Sequence, residues 1–149
     1  MGSGYAVTCS KCGFNAMYTL GAGMLFPRVY EELVGDILAG KHGQEWKDYF
    51  NTIPGAAVLA EKELYRCSNC NTLLSDYNLA LYKRNDGTPP DHGCWVYWCD
   101  HDYTFVKSYR HMCPKCSRRM HKVSISRSTR LPCPECGSAL EIDDGIMWD

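Results

Sequence analysis

CPKCSRRMHKVSISRSTRLPCPEC, residues 113–136, carries two Cys-x-x-Cys pairs with sixteen residues between them. Two thiolates at that spacing, set on a tight turn, grip one tetrahedral metal ion from one side, and two such pairs complete a four-cysteine site. Sixteen residues allow two short strands and a turn, so the connection is long enough to return the second pair to the first. Within it Met120–Ser126 alternates, with His121, Val123 and Ile125 on one face, and Ser126–Thr129 turns the chain back towards Leu131.

The same device recurs outside this stretch. AVTCSKCGF (6–14), LYRCSNCNT (64–72), RHMCPKCSR (110–118) and RLPCPECGS (130–138) each offer a strand-like lead-in, a pair, and a small or polar residue where the chain must turn. Eight of the ten cysteines are thus accounted for: Cys9/Cys12, Cys67/Cys70, Cys113/Cys116 and Cys133/Cys136. Gly13 and Gly137 follow the second cysteine, where a positive φ aims backbone amides at the thiolates. Asn71 tolerates that conformation and Ser117 does so less easily. A disulfide scaffold would be shorter and would not concentrate its cysteines in this way, so the arithmetic implies two bound metals.

Cys113-Pro-Lys-Cys116 followed by Cys133-Pro-Glu-Cys136-Gly137 resembles a zinc ribbon over residues 109–142, and proline after the first cysteine is similar to rubredoxin-like knuckles. The resemblance implies two structural Zn2+ ions in closed sites, with iron as the alternative metal. Cys9, Cys12, Cys67 and Cys70 are expected to form site 1, and Cys113, Cys116, Cys133 and Cys136 site 2, because the C-terminal spacing already closes on itself. The alternative is nested, joining 67/70 to 113/116 and 9/12 to 133/136, since loop entropy changes slowly with length. The expected fold is α+β, with two zinc-ribbon-like four-cysteine sites on small antiparallel sheets and a helical insertion between the first two knuckles. The expected divisions are 5–108, with the insertion at about 25–62, then a C-terminal ribbon at 109–142 and an acidic tail at 143–149.

The insertion is read from its punctuation. PRVYEELVGDILAG begins with Pro27, suited to a first helical turn, and stops at Gly40. Val29, Tyr30, Leu33, Val34, Ile37 and Leu38 make one apolar face, with Glu31, Glu32 and Asp36 pointing away. A second helix is expected over Gln44–Asn51, with Trp46, Tyr49 and Phe50 inward, then a break at Pro54-Gly55 and a further turn or two over Ala56–Lys62. Leu79–Lys83, Cys94–Cys99 and Tyr103–Tyr109 read as strands separated by Asn85-Asp86-Gly87 and Pro89-Pro90. Met1–Gly4 is left out of the fold argument.

HGCWVYWCDH (92–101) carries the two remaining cysteines. As a strand, it puts Cys94 and Cys99 on opposite faces and more than ~10 Å apart, too far for a disulfide or one shared metal. The pair reads as packed free thiols; the alternative is a third metal, with His92 joining Cys94 or His101 joining Cys99 and outside ligands completing the site.

Charge gives the functional lead. The formal net charge is -1, and two sites of four thiolates around a divalent ion would each add -2, giving about -5. From Tyr103 to Pro134 the sequence has eight basic residues (Lys107, Arg110, Lys115, Arg118, Arg119, Lys122, Arg127, Arg130) and no acid. Such a ribbon can grip nucleic-acid phosphates, with Tyr109, His111, His121 and the serines as secondary contacts. It can equally offset the thiolates and pair with acidic segments. No HExxH, Gly-x-Ser-x-Gly or Walker pattern occurs, and LGAGM (20–24) reads as a turn into the first helix. A closed four-cysteine site has no open coordination position for catalysis. With no apolar run long enough to cross a membrane and no secretory h-region, a cytoplasmic location is expected. These observations lead to a non-enzymatic zinc protein that is an adaptor for nucleic acid or a ribonucleoprotein. The alternatives are a protein-interaction module without nucleic acid and, further off, an iron electron carrier.

Overall fold

The computed structural model describes residues 2–90 and 100–148. In chain order its elements are β1 (Gly2–Thr8), β2 (Asn15–Leu20), α1 (Phe26–Leu38), α2 (Gln44–Thr52), β3 (Ala56–Val58), β4 (Lys62–Cys67), β5 (Leu73–Tyr77), β6 (Leu81–Arg84), β7 (Tyr103–Lys107), β8 (Met120–Lys122) and β9 (Glu141–Trp148). The protein is α+β, with three small antiparallel sheets ordered β2-β1-β9, β5-β4-β8 and β3-β6-β7. The expected strand over Cys94–Cys99 lies outside the described residues.

The chain folds into two compact units, and neither follows the expected division at residue 108. One comprises Met1–Met24, Lys62–Asp76 and Arg110–Asp149; the other comprises Leu25–Glu61 and Tyr77–Tyr109. The helical insertion is therefore real but shares its unit with a second, later segment, and the 109–142 stretch is not a domain of its own.

In the first unit, Val7, Leu64, Leu73, Ile125, Leu131 and Leu140 are buried together with Cys9 and Cys133. A neighbouring cluster holds Tyr65, Cys67, Cys113 and Met120. β1 sits between two partners, paired to β2 with Val7 opposite Ala16 and to β9 with Val7 opposite Ile142. The segment expected to be an acidic tail is thus a strand, because Ile142 and its neighbours find an unpaired edge of β1. Residues 2–4 also belong to the fold: Gly2 and Gly4 are buried and lie opposite Trp148 and Ile146. The expected alternation over Met120–Ser126 holds only in part. β8 is three residues long, His121 is exposed, and Val123 and Ile125 reach the core.

In the second unit, α1 buries Phe26, Tyr30, Leu33 and Ile37, with Pro27 in its first turn. This stripe is narrower than the expected face, since Leu38 is exposed. Gly40, at φ +83°, ends the helix. α2 buries Trp46, whose indole N–H donates to the Leu79 carbonyl at 2.8 Å, and the Tyr49 hydroxyl donates to the Tyr82 carbonyl at 3.1 Å. Ala56–Val58 is a strand and not the expected helical turn. Ala57 and Val58 are fully buried and pair with Tyr82 and Leu81, so tertiary pairing overrides the helix preference of alanine.

Gly55 makes that strand possible. Its φ is +72°, and a Cβ there would lie 3.0 Å from the Arg84 carbonyl oxygen and 3.1 Å from the Gly87 Cα. Both neighbours are backbone and neither can swing aside. Gly55→Ala should cost about 2–3 kcal/mol of stability, combining left-handed strain with the clash. A denaturant midpoint unchanged from wild type would overturn this account.

Candidate metal centres

All four knuckles share one backbone plan. The N–H of Cys9, Cys67, Cys113 and Cys133 donates to the carbonyl five residues on, at Phe14, Thr72, Arg118 and Ser138, over 2.7–2.9 Å. The N–H of Gly13, Asn71, Ser117 and Gly137 donates back to the first cysteine's carbonyl over 2.8–2.9 Å. Those four residues have φ of +78°, +58°, +55° and +74°, so the position after the second cysteine is left-handed in every knuckle, serine included. Each first cysteine is buried, while the second is exposed at Cys12 and Cys136 and half-buried at Cys70 and Cys116.

The knuckles combine in the nested arrangement. Cys9, Cys12, Cys133 and Cys136 form one group, Cys67, Cys70, Cys113 and Cys116 the other, and within each the sulfurs lie within 4.8 Å of one another. Neither expected foursome is brought together, although the two groups take in all eight expected cysteines. Strand pairing explains why. β4 runs into Cys67 and pairs with β8 just after Cys116, placing Cys67 opposite Met120. β1 runs into Cys9 and pairs with β9 just after Cys136, placing Thr8 opposite Glu141. Closing the longer loops costs only about 1.5 kcal/mol more than the sequential scheme. The β1–β9 ladder and the core around Val7 and Leu140 offset that readily.

The geometry fits a tetrahedral ion. Metal–sulfur bonds of about 2.3 Å imply sulfur–sulfur edges of about 3.8 Å. Observed edges include Cys9–Cys136 at 3.5 Å and Cys12–Cys133 at 3.6 Å in the first site. In the second, Cys67–Cys116 is 3.4 Å, and Cys70–Cys113 and Cys70–Cys116 are both 3.6 Å. At Cys70 and Cys136 the donors favour the thiolate. Cys70 is held down at about 6 by the Thr72 hydroxyl and amide, and Cys136 at about 6 by the Ser138 amide and hydroxyl. Cys12 and Cys116 go the other way: the Phe14 amide favours the Cys12 thiolate, but desolvation and the crowded thiols of Cys133, Cys136 and Cys9 push it up to about 12, and against the Arg118 amide desolvation and the thiols of Cys67 and Cys70 push Cys116 up to about 11. Four negative sulfurs at these distances would need a cation among them, and a divalent ion would supply it while displacing the remaining protons.

The eight basic residues do not form one ribbon. Lys107 lies in the second unit and pairs with Glu45. Lys122 pairs with Glu63 at 2.6 Å, and Arg127 pairs with Asp144 and, at 3.7 Å, with Asp143. Charge compensation accounts for these three. Arg110, Lys115, Arg118, Arg119 and Arg130 are exposed in the first unit and make no ion pair among the described residues. His111 is not available as a phosphate contact. It is 4% exposed, its ring is stacked on Tyr65 with centroids 3.7 Å apart, and its Nδ1 lies 3.5 Å from an Asp76 carboxylate oxygen. Tyr109 belongs to the second unit, where its ring meets the edge of Trp46. His92, Cys94 and Cys99 lie outside the described residues.

No known protein family matches the chain, and neither does any curated protein or solved structure. Fold and sites together define its class: an α+β protein with two four-cysteine groups able to hold metal ions. No helix among the described residues is long and apolar enough to cross a membrane.

Proposed function

We propose that the chain is a non-enzymatic adaptor that binds nucleic acid, built on two structural zinc ions. The observation carrying this reading is the set of five exposed cations (Arg110, Lys115, Arg118, Arg119 and Arg130) on the metal-bearing unit, which no carboxylate among the described residues neutralises. Zinc is supported by the closed ring of four thiolates in each group. Iron would accept the same sulfurs, so elemental analysis and the absence of visible colour decide between them.

Affinity for single-stranded oligonucleotides measured against salt tests the adaptor role. At about 0.7 per phosphate contact on a single strand, five contacts predict a log–log slope of up to about -3.5. Binding that is absent at low salt, or indifferent to salt, removes the reading and leaves a protein-interaction module.

A further inference from the structure

Two of the five unpaired cations converge on one place. Arg118 and Arg119, with Ser68, Asn69 and His121, line a shallow cavity of about 480 Å³ beside the second metal group. Its position follows from the fold. Ser68 and Asn69 are the two middle residues of the Cys67/Cys70 knuckle, Arg118 and Arg119 leave the Cys113/Cys116 knuckle, and β4–β8 pairing sets His121 opposite Arg66. No carboxylate lines the cavity. Neither guanidinium makes an ion pair among the described residues.

Two guanidiniums with hydroxyl, amide and imidazole groups around them suit a phosphate, which takes charge-assisted bonds from planar forks. The volume falls within the range of about 300–1,000 Å³ typical of small-molecule pockets, more than a bare phosphate requires. We propose that this cavity seats one nucleotide of a bound strand, its phosphate between Arg118 and Arg119 and its base against His121 and Asn69. The proposal rests on the nucleic-acid reading above and adds the place where the strand is held.

The test titrates the full, metal-loaded chain with a nucleoside 5′-monophosphate, the matching nucleoside and inorganic phosphate, followed by backbone amide NMR, and then with a 12-nucleotide single-stranded RNA. The monophosphate should give saturable shifts centred on Ser68, Asn69, Arg118, Arg119 and His121. The nucleoside should leave the arginine amides unmoved, and phosphate should shift them more weakly. Arg118→Ala with Arg119→Ala should weaken the monophosphate about tenfold or more and flatten the RNA salt slope by about 1.4, at about 0.7 per lost contact. Arg110→Ala with Arg130→Ala should weaken RNA binding alone. Shifts that are absent, unsaturable, or equally large with the nucleoside overturn the cavity. RNA that binds wild type but loses no more through the 118/119 pair than through the 110/130 pair also overturns it, leaving the broader reading intact. RNA that fails to bind while the monophosphate does overturns the nucleic-acid reading, and the strand with it.

Discussion

Cys12→Ser should reduce bound metal from two ions per chain to one, and Cys12→Ser combined with Cys136→Ser should still retain one. Both cysteines belong to the group formed with Cys9 and Cys133, so the second substitution damages a site already lost. Cys12→Ser with Cys70→Ser should abolish binding altogether, because Cys70 belongs to the other group. Sequential pairing reverses the last two outcomes, since Cys12 and Cys70 would then share a site. Counting metal per chain after gel filtration reads the result directly. The substitutions use the second cysteine of each knuckle, which is exposed or half-buried, so they disturb the apolar core less than changes at Cys9 or Cys133.

Stripping both ions with a strong chelator should unfold the first unit. Cys9 and Cys133 are packed among Val7, Leu64, Leu131 and Leu140, and Cys67 and Cys113 among Tyr65 and Met120, so the ligands are core residues as well as sulfur donors. Without the ion, each group holds crowded thiols whose charges oppose one another, and the metal's contribution is lost outright. Structural zinc commonly supplies about 10–16 kcal/mol in small domains, against a total stability of about 5–15 kcal/mol for a whole domain. Amide hydrogen exchange should show protection falling by at least about a hundredfold in β1, β4 and β9. Full protection in those strands after chelation would mean that the metals are cargo and not structure. α1 and α2, in the other unit, contain no ligand and should lose far less.

The ligands were legible in the sequence and their partnership was not. A Cys-x-x-Cys pair is a local device whose turn, positive φ and amide donors are all specified within about six residues, as the matching bonds at Gly13, Asn71, Ser117 and Gly137 demonstrate. Which knuckle meets which depends on long-range strand pairing. There the sixteen-residue spacing between Cys116 and Cys133 pointed the wrong way, because loop length exerts so weak a pull. The missed signals were the strands β1 and β9. Val7 and Ile142 have the apolar character of strand centres, but glycines at one end and four acids between 135 and 144 at the other disguised them. The helices were read correctly in place because Pro27, Gly40 and the spacing of Tyr30, Leu33 and Ile37 are local signals too. The strand over Ala56–Val58 is not legible for the opposite reason, its conformation being imposed by β6. The basic block illustrates a further limit. Linear charge could not reveal that Lys107, Lys122 and Arg127 are spent on Glu45, Glu63 and the aspartates of β9.

Grouping Cys9 with Cys136 places two sulfurs able to share one ion 127 positions apart, which sets a timetable for synthesis. A ribosome adding about 5–20 residues per second needs roughly 6–25 s to travel from the first of these cysteines to the last. Throughout that interval the Cys9/Cys12 knuckle is outside or leaving the exit tunnel with half its coordination sphere still to be made. The inner foursome, complete once Cys116 has emerged, can close earlier around its own ion. Assembly therefore proceeds from the inside outwards, and the outermost thiolates wait longest, exposed to oxidants and to competing metals.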